Sequence, residues 1–221
     1  MRFPNAYKGV KKIFSAEIFM IAGSVILLVG IVFALVLSVM TVNTTITYPE
    51  PVVAAVALIT AVGMLVGGGL AVAALIVHII GVYQAKKDEN SFGTALIFLF
   101  ISIAAAVLSS TIRVEVVSDI ANTVRNICDI CAIIYIIGGV RELARQLGNE
   151  KMVNSANRAH SIILWVYGLL IIAQVVAIVF DFLPMMVTAA GILGIIAAVL
   201  NVVAYVYYLI FLGKAAKMLK K

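Results

Sequence analysis

The fold is decided by residues 52–82, VVAAVALITAVGMLVGGGLAVAALIVHIIGV, a run of 31 residues without lysine, arginine, aspartate or glutamate. A helix needs about 20 apolar residues to cross the hydrocarbon core of a bilayer. This run therefore predicts a transmembrane helix that is tilted or protrudes from the membrane. Residues 18–40 form a second run, of 23 residues, without a charge. Because a cleaved signal sequence has only about 7–15 apolar residues, we interpret this run as a retained first helix.

The composition of the whole chain also indicates a membrane protein. Its 221 residues are 64% hydrophobic and 12% charged, whereas soluble domains are about half apolar and about 25% charged. Such a chain cannot cover itself with polar surface in water. We therefore expect one transmembrane helical bundle over residues 1–221, with the lipid bilayer as its partner. The net charge of +6 is spread over short segments between apolar runs, which argues against a nucleic-acid-binding patch.

The pattern of apolar runs predicts an all-α integral membrane protein with six transmembrane helices. A transmembrane barrel is not expected, because its strands would alternate apolar and polar residues over segments of about ten. The second, fourth and sixth runs each end in glycine and a polar turn, which favours three helical hairpins in one orientation. Alternatively, all inner helix ends look alike because Gly, Lys and Arg favour that position. The predicted helices cover approximately residues 13–40, 52–82, 92–112, 124–143, 161–180 and 185–212.

The fourth helix has the weakest apolar signal of the six predicted helices. Only residues 130–140 are free of charge, and extending the run outward admits Arg125 and Asp129. The alternative is a five-helix protein with an interfacial segment. Charge counting favours six, because 14 of the 16 lysines and arginines then lie on one side and only Arg113 and Arg125 on the other. By the positive-inside rule, we expect both ends of the sequence in the cytoplasm and the protein in the cell membrane of a prokaryote.

Three ionisable residues lie near the inner ends of predicted helices. Glu17 is about one turn inside the first helix, His78 is one turn before the end of the second, and His160 opens the fifth. Carboxylate and imidazole groups can bind a transition metal or relay a proton. Alternatively, each side chain reaches interfacial water or a neighbouring lysine independently. The sequence does not show whether the three residues meet.

Three polar residues lie within predicted helices and are candidates for ligand binding, together with Glu17. Asp129 is the deepest acid in the outer half and has Arg125 four residues before it, so a local ion pair can form. Gln174 lies at a similar depth, and these two side chains could line an outward-facing pocket. The alternative is a fourth helix that starts later and leaves Asp129 among the headgroups. Asn201, near the middle of the sixth helix, could touch a ligand or join two helices by a hydrogen bond.

Cys128 and Cys131 form a C-x-x-C motif near the outer end of the fourth predicted helix. Thiol redox enzymes place such a pair at a helix start, where the dipole favours the thiolate. Membrane thiol oxidases normally need a second cysteine pair, and this chain has only two cysteines. The alternative is two small apolar side chains packed inside a helix.

Small residues recur at four-residue spacing on several helices, with Gly63, Gly67 and Ala71 as the clearest stripe. This spacing lets helix backbones approach closely. The stripe serves either packing within one chain or the interface of a homo-oligomer.

Two classes of function follow from these features. The first is a small transport or ligand-binding component for a neutral or apolar molecule, and the second is a structural or accessory subunit of a membrane complex. An outer-face thiol oxidoreductase rests on the cysteine pair alone. The sequence contains no P-loop, zinc-protease or dinucleotide-binding motif, and therefore predicts no cofactor.

Overall fold

The computed structural model describes residues 2–42, 49–112, 114–180 and 187–220, and all regular secondary structure within these ranges is α-helical. The prediction of an all-α protein is thus confirmed. The helices are α1 (Pro4–Val42), α2 (Glu50–Ala85), α3 (Ser91–Thr111), α4 (Glu115–Gln146), α5 (Glu150–Phe180) and α6 (Val187–Leu219).

Five of these helices are long and apolar enough to cross a membrane, which indicates a membrane location. The qualifying segments lie in α1, α2, α3, α5 and α6. In α4 the charged residues Arg125, Asp129 and Arg141 interrupt the apolar sequence. The same helix had the weakest apolar signal in the sequence.

The helices extend beyond the predicted membrane-spanning segments. α1 begins at Pro4 rather than at residue 13, α4 at Glu115 rather than 124, and α5 at Glu150 rather than 161. The apolar run marks only the part that matches the hydrocarbon thickness. A helix can continue past that boundary because its backbone hydrogen bonds are internal and its charged side chains reach water.

A three-residue turn, Leu147–Asn149, joins α4 to α5. Gly148 has a φ of 65°, a left-handed conformation that glycine adopts without steric cost. Its N–H donates to the carbonyl of Arg145, and the Asn149 N–H donates to the carbonyl of Ala144, both at 2.9 Å. These two bonds form a Schellman motif. The Asn149 side chain then accepts a hydrogen bond from the Met152 N–H at 3.1 Å and so caps α5.

The chain divides into two compact units, residues 1–11 with 81–221 and residues 12–80. In the first unit α4 packs against α3 and α5, and α5 packs against α6. A Cβ atom built on Gly139 of α4 would lie 2.6 Å from the Phe92 ring of α3, so a glycine is needed for this close approach. The largest fully buried side chains of this unit include Phe92, Ile136, Ile137, Leu143, Phe211 and Leu212.

Three segments of the chain meet at one end of the first unit. The Asp88 carboxylate, in the α2–α3 connection, accepts hydrogen bonds from the Ala6 N–H at 2.7 Å and from the Asn5 amide at 3.0 Å. It therefore caps the first turn of α1, where free N–H groups and the helix dipole favour an anion. The Arg2 guanidinium donates to the Gln146 carbonyl at the end of α4, at 2.9 Å. The start of α1, the α2–α3 connection and the end of α4 thus lie together.

The second unit is a helical hairpin of α1 and α2 with glycines at the contact. A Cβ built on Gly63 would lie 3.0 Å from the Gly30 Cα, and one built on Gly23 would lie 3.0 Å from the Gly67 carbonyl oxygen. Without an aqueous hydrophobic effect, helices in lipid associate largely through such close packing. The glycines therefore position the two helices and the side chains between them.

Candidate functional site

Glu17 of α1 and His78 of α2 form a buried polar pair in the second unit. The imidazole Nδ1 of His78 lies 3.1 Å from the Glu17 carboxylate Oε1. Only 13% of the His78 side chain and 10% of the Glu17 side chain are exposed. Because ionisable groups in membrane helices are costly unless paired, such a pair is a candidate functional site.

The hairpin packing explains why these two side chains meet. Gly23 lies about one and a half turns beyond Glu17 along α1, and its backbone touches α2 near Gly67 and Ala71. His78 follows Ala71 by seven residues, so it lies on the same face of α2. The glycine contact therefore brings the α2 face that carries His78 against α1.

The second imidazole nitrogen of His78 is the most unusual atom of the site. Nε2 is buried and has no hydrogen-bond partner among the described residues. An unsatisfied buried polar group costs about 1–3 kcal/mol, so such an atom calls for an explanation, for example a bound water or ligand. In the neutral imidazole one nitrogen donates and the other accepts. With Glu17 ionised and the imidazole neutral, Nδ1 donates to the carboxylate and Nε2 is left as an acceptor.

His160 lies in α5, in the first unit. Of the three residues that the sequence suggested as metal ligands, Glu17 and His78 are the two between which a contact is described. Within the described ranges, no group of three or more His, Cys, Asp or Glu side chains is arranged to hold a metal ion. His160 Nδ1 is also buried without a hydrogen-bond partner among the described residues. The metal site of Glu17, His78 and His160 stays a prediction.

Asp129 of α4 bonds to a side chain that the sequence did not single out as its partner. The Ser102 hydroxyl of α3 donates to Asp129 Oδ1, and Arg125 Nε lies 3.9 Å from Asp129 Oδ2. Ser102 is buried, whereas 44% of the Asp129 side chain is exposed. In the sequence Ser102 is one of several small residues at four-residue spacing in α3, a pattern that does not reveal a hydrogen bond.

The other proposed ligand-binding residues are less informative. Asn201 lies in α6 and is partly exposed. Gln174 lies in α5, but its side chain is outside the described residues. A pocket formed by Asp129 and Gln174 therefore stays a prediction.

Cys128 and Cys131 are free thiols in α4; Cys128 is buried and Cys131 is partly exposed. Because α4 begins at Glu115, the motif lies more than three turns inside the helix. The dipole effect falls off within the first turn, so the argument from a helix start does not apply to this pair. A redox role stays a prediction.

The stripe of Gly63, Gly67 and Ala71 lies against α1 of the same chain. A Cβ built on Gly67 would lie 2.6 Å from Leu27 Cγ, and one on Gly23 would lie 3.3 Å from the Ala71 nitrogen. This face of α2 is therefore covered within the hairpin. A homo-oligomer would need a different surface.

The whole chain was also compared with known proteins. No protein-family model matches it, and no curated protein or solved structure is significantly similar to it.

Proposed function

We propose that this protein is a small transport or ligand-binding component of the cell membrane, and that the Glu17–His78 pair contacts a small, largely apolar molecule. The buried Nε2 of His78 carries this proposal, since it is polar, enclosed and without a partner among the described residues. A ligand group bonded to Nε2 would remove the desolvation cost of leaving this atom unpaired.

The chemistry of the ligand follows from the acceptor character of Nε2. A hydroxyl or an uncharged N–H group can donate to it, while a carbonyl or an ether oxygen cannot. The surroundings are apolar, since α1 has no charge from residue 18 to 40 and α2 has none from 51 to 85. The proposed ligand is therefore an apolar molecule with one hydrogen-bond donor, such as a long-chain alcohol.

The proposal includes six membrane spans, with both ends of the sequence in the cytoplasm. Its support is the common end of the first unit, where the start of α1, the α2–α3 connection and the end of α4 meet. The end of α6 lines a cleft with the α4–α5 turn at the same end. α4 has 32 residues, which at about 1.5 Å per residue exceeds the bilayer core. The concentration of lysines and arginines at this end supports a cytoplasmic orientation.

Native mass spectrometry of protein extracted in mild detergent tests the binding of a ligand. His78→Asn keeps a donor near the Nδ1 position and removes Nε2, whereas His78→Gln keeps a polar group near Nε2. Thr60→Val is the matched control, because the Thr60 hydroxyl already bonds to the Val56 carbonyl of its own helix at 2.9 Å. We expect a defined bound mass on the parent protein and on Thr60→Val, and its loss from His78→Asn.

A photoreactive probe tests the ligand chemistry directly. A long-chain alcohol carrying a diazirine should label peptides around His78, and its methyl ether, which lacks the donor, should label them much less. Equal labelling by both compounds, or an unchanged bound mass on His78→Asn, would contradict the proposed role of Nε2.

A second candidate function is an accessory subunit of a membrane complex. It is favoured by a stripe of exposed apolar side chains on α2, Leu58, Leu65 and Val72, which are 65%, 78% and 59% exposed. Seven-residue spacing places them on one helix face, suited to a partner helix or to lipid. The same mass spectra distinguish the candidates, since a partner chain in place of a small bound mass would favour the subunit.

A further inference from the structure

A cleft with a volume of about 530 Å³ lies between the start of α5 and the end of α6. A smaller cleft of about 330 Å³ adjoins it, and the two share Lys151, Ser155 and Lys214. Both lie within the first compact unit. Leu147 and Asn149 of the α4–α5 turn line one side of the larger cleft.

Among the residues that the structure describes, four cationic side chains and no acidic one line this double cleft. Lys151, Lys214 and Lys217 line the larger part, and Arg158 joins Lys151 and Lys214 in the smaller part. Within the described ranges, the ion pairs are Glu17–His78, Arg125–Asp129 and Arg145–Glu142, so none of the four cations is neutralised. Unpaired like charges around a concave surface repel one another, and an anion relieves that repulsion.

Helical periodicity brings the cleft residues of α5 onto one face of that helix, and those of α6 onto one face of that helix. Lys151, Ser155 and Arg158 follow one another at four and three residues along one face of α5, and Tyr207 and Lys214 are seven residues apart on α6. Lys151 and Arg158 are thus two turns, or about 10 Å, apart along the helix. Each part of the cleft has three cations, so the surface offers two adjacent positions for anionic groups.

The position of the cleft near the membrane–water interface and the apolar residues around it favour a lipid headgroup. Met152 and Met218 line the larger part beside the lysines. Trp165, two turns beyond Arg158 on α5, is 75% exposed, and exposed tryptophans mark the membrane–water interface. The cations therefore lie at headgroup depth, and the exposed apolar side chains of Val206 and Ile210 on α6 offer a surface for acyl chains. Basic pockets between membrane helices on the cytoplasmic side are suited to anionic headgroups.

We propose that this cleft binds an anionic phospholipid and prefers a headgroup with two phosphate groups, as in cardiolipin. Lys151 and Lys214 contact both phosphates, while Lys217 and Arg158 each contact one. The Ser155 hydroxyl, shared by both parts, donates between them. This site is independent of the Glu17–His78 pair and of the proposed ligand there.

The test uses the single tryptophan of the chain. The full-length protein in detergent micelles is titrated with cardiolipin bearing brominated acyl chains, and quenching of Trp165 fluorescence reports binding. Brominated phosphatidylglycerol, with one phosphate, and brominated phosphatidylcholine, which has no net charge, are titrated in parallel. We expect quenching at the lowest lipid concentration with cardiolipin and at the highest with phosphatidylcholine.

Charge-removing variants locate the site. Lys151→Gln/Lys214→Gln should weaken cardiolipin binding about 30-fold, since each of the two lysines near an anionic lipid contributes about fivefold to the affinity. Lys11→Gln/Lys87→Gln removes the same charge from two exposed lysines outside the cleft and should change binding less than about twofold, because exposed charges at a distance are screened. Lys151→Arg/Lys214→Arg should retain binding and shows that the site tolerates substitution.

Two results would overturn the proposal. Equal weakening in both glutamine variants would mean that only the general surface charge attracts the lipid. Displacement of cardiolipin by sodium pyrophosphate at equal concentration and constant ionic strength would instead assign the cleft to a soluble phosphate compound. We expect pyrophosphate to leave the quenching unchanged, because it lacks the acyl chains that lie on the apolar surface.

Discussion

His78 Nδ1 lies 3.1 Å from Glu17 Oε1, so the α1–α2 hairpin joins an acid and an imidazole that are far apart in the sequence. The pair lies beside a glycine contact of the two helices, and both side chains are largely buried. Substitutions of these two residues therefore test how much the pair contributes to the stability of the hairpin.

Removal of one partner should destabilise the hairpin more than removal of both. His78→Leu leaves a buried carboxylate without its imidazole, and we expect a loss of about 3 kcal/mol in the free energy of unfolding. Glu17→Leu/His78→Leu should recover most of this loss, because no buried charge is left. Unfolding by SDS titration, followed by circular dichroism, measures each variant. A double variant as unstable as the sum of the single variants would show that the two residues are not coupled.

Asp88→Ala should destabilise the protein by about 1 kcal/mol, since it removes the cap of α1. The bonds lost are those from the Ala6 N–H and the Asn5 amide. Asp88→Asn is the matched control, because its amide oxygen can still accept from Ala6, and it should be less destabilised. Thermal unfolding in one detergent compares the two variants with the parent. A melting temperature of Asp88→Ala equal to that of the parent would contradict the capping role.

Gly67→Ala should cost about 1–3 kcal/mol by overpacking. The added Cβ would lie 2.8 Å from the Leu27 nitrogen and 2.9 Å from the Gly23 carbonyl oxygen, and these backbone atoms cannot turn aside. Gly68→Ala is the neighbouring control, since its Cβ meets nothing within 4 Å. Alanine is the better helix former by about 1 kcal/mol, so Gly68→Ala should be neutral or stabilising. Similar unfolding curves for the two variants would rule out the close contact of α1 with Gly67.

Cys131 should react with a maleimide faster than Cys128, because Cys128 is buried and Cys131 is partly exposed. Cys131→Ser should therefore lose most of the early label, while Cys128→Ser should keep it. Mass spectrometry of the labelled protein gives the rate at each site. Fast labelling at Cys128 would contradict its burial, and a dithiol that cycles between oxidised and reduced forms would support the thiol oxidoreductase alternative.

The sequence predicted the helices well and their ends less well. Charge-free runs identify membrane-crossing segments because lipid does not tolerate unpaired charges. They do not show where α5 begins, since the segment from Glu150 to His160 is polar yet helical. Its start depends on the Gly148 turn and the Asn149 cap, which are local signals outside the apolar run.

The candidate site was predicted in part. Glu17 and His78 stood out individually as ionisable residues near helix ends, but their facing depends on the rotation of α1 against α2. In the sequence the four cleft cations contributed only to the count of lysines and arginines that predicts the orientation of the chain in the membrane. Lys151 and Lys214 lie on different helices, and no spacing along the chain relates them.

Composition and charge spacing alone determined the helical class of this protein and the position of most helices that are long and apolar enough to cross a membrane, because these depend on the transfer of each segment from water to lipid. The contacts among side chains depended on the packing of the helices. Glycine contacts set the helix rotation that pairs Glu17 with His78, and the short α4–α5 turn lines the cleft that Lys151 and Lys214 share. Such pairings arise from backbones approaching within van der Waals distance, which no pattern along a single helix specifies.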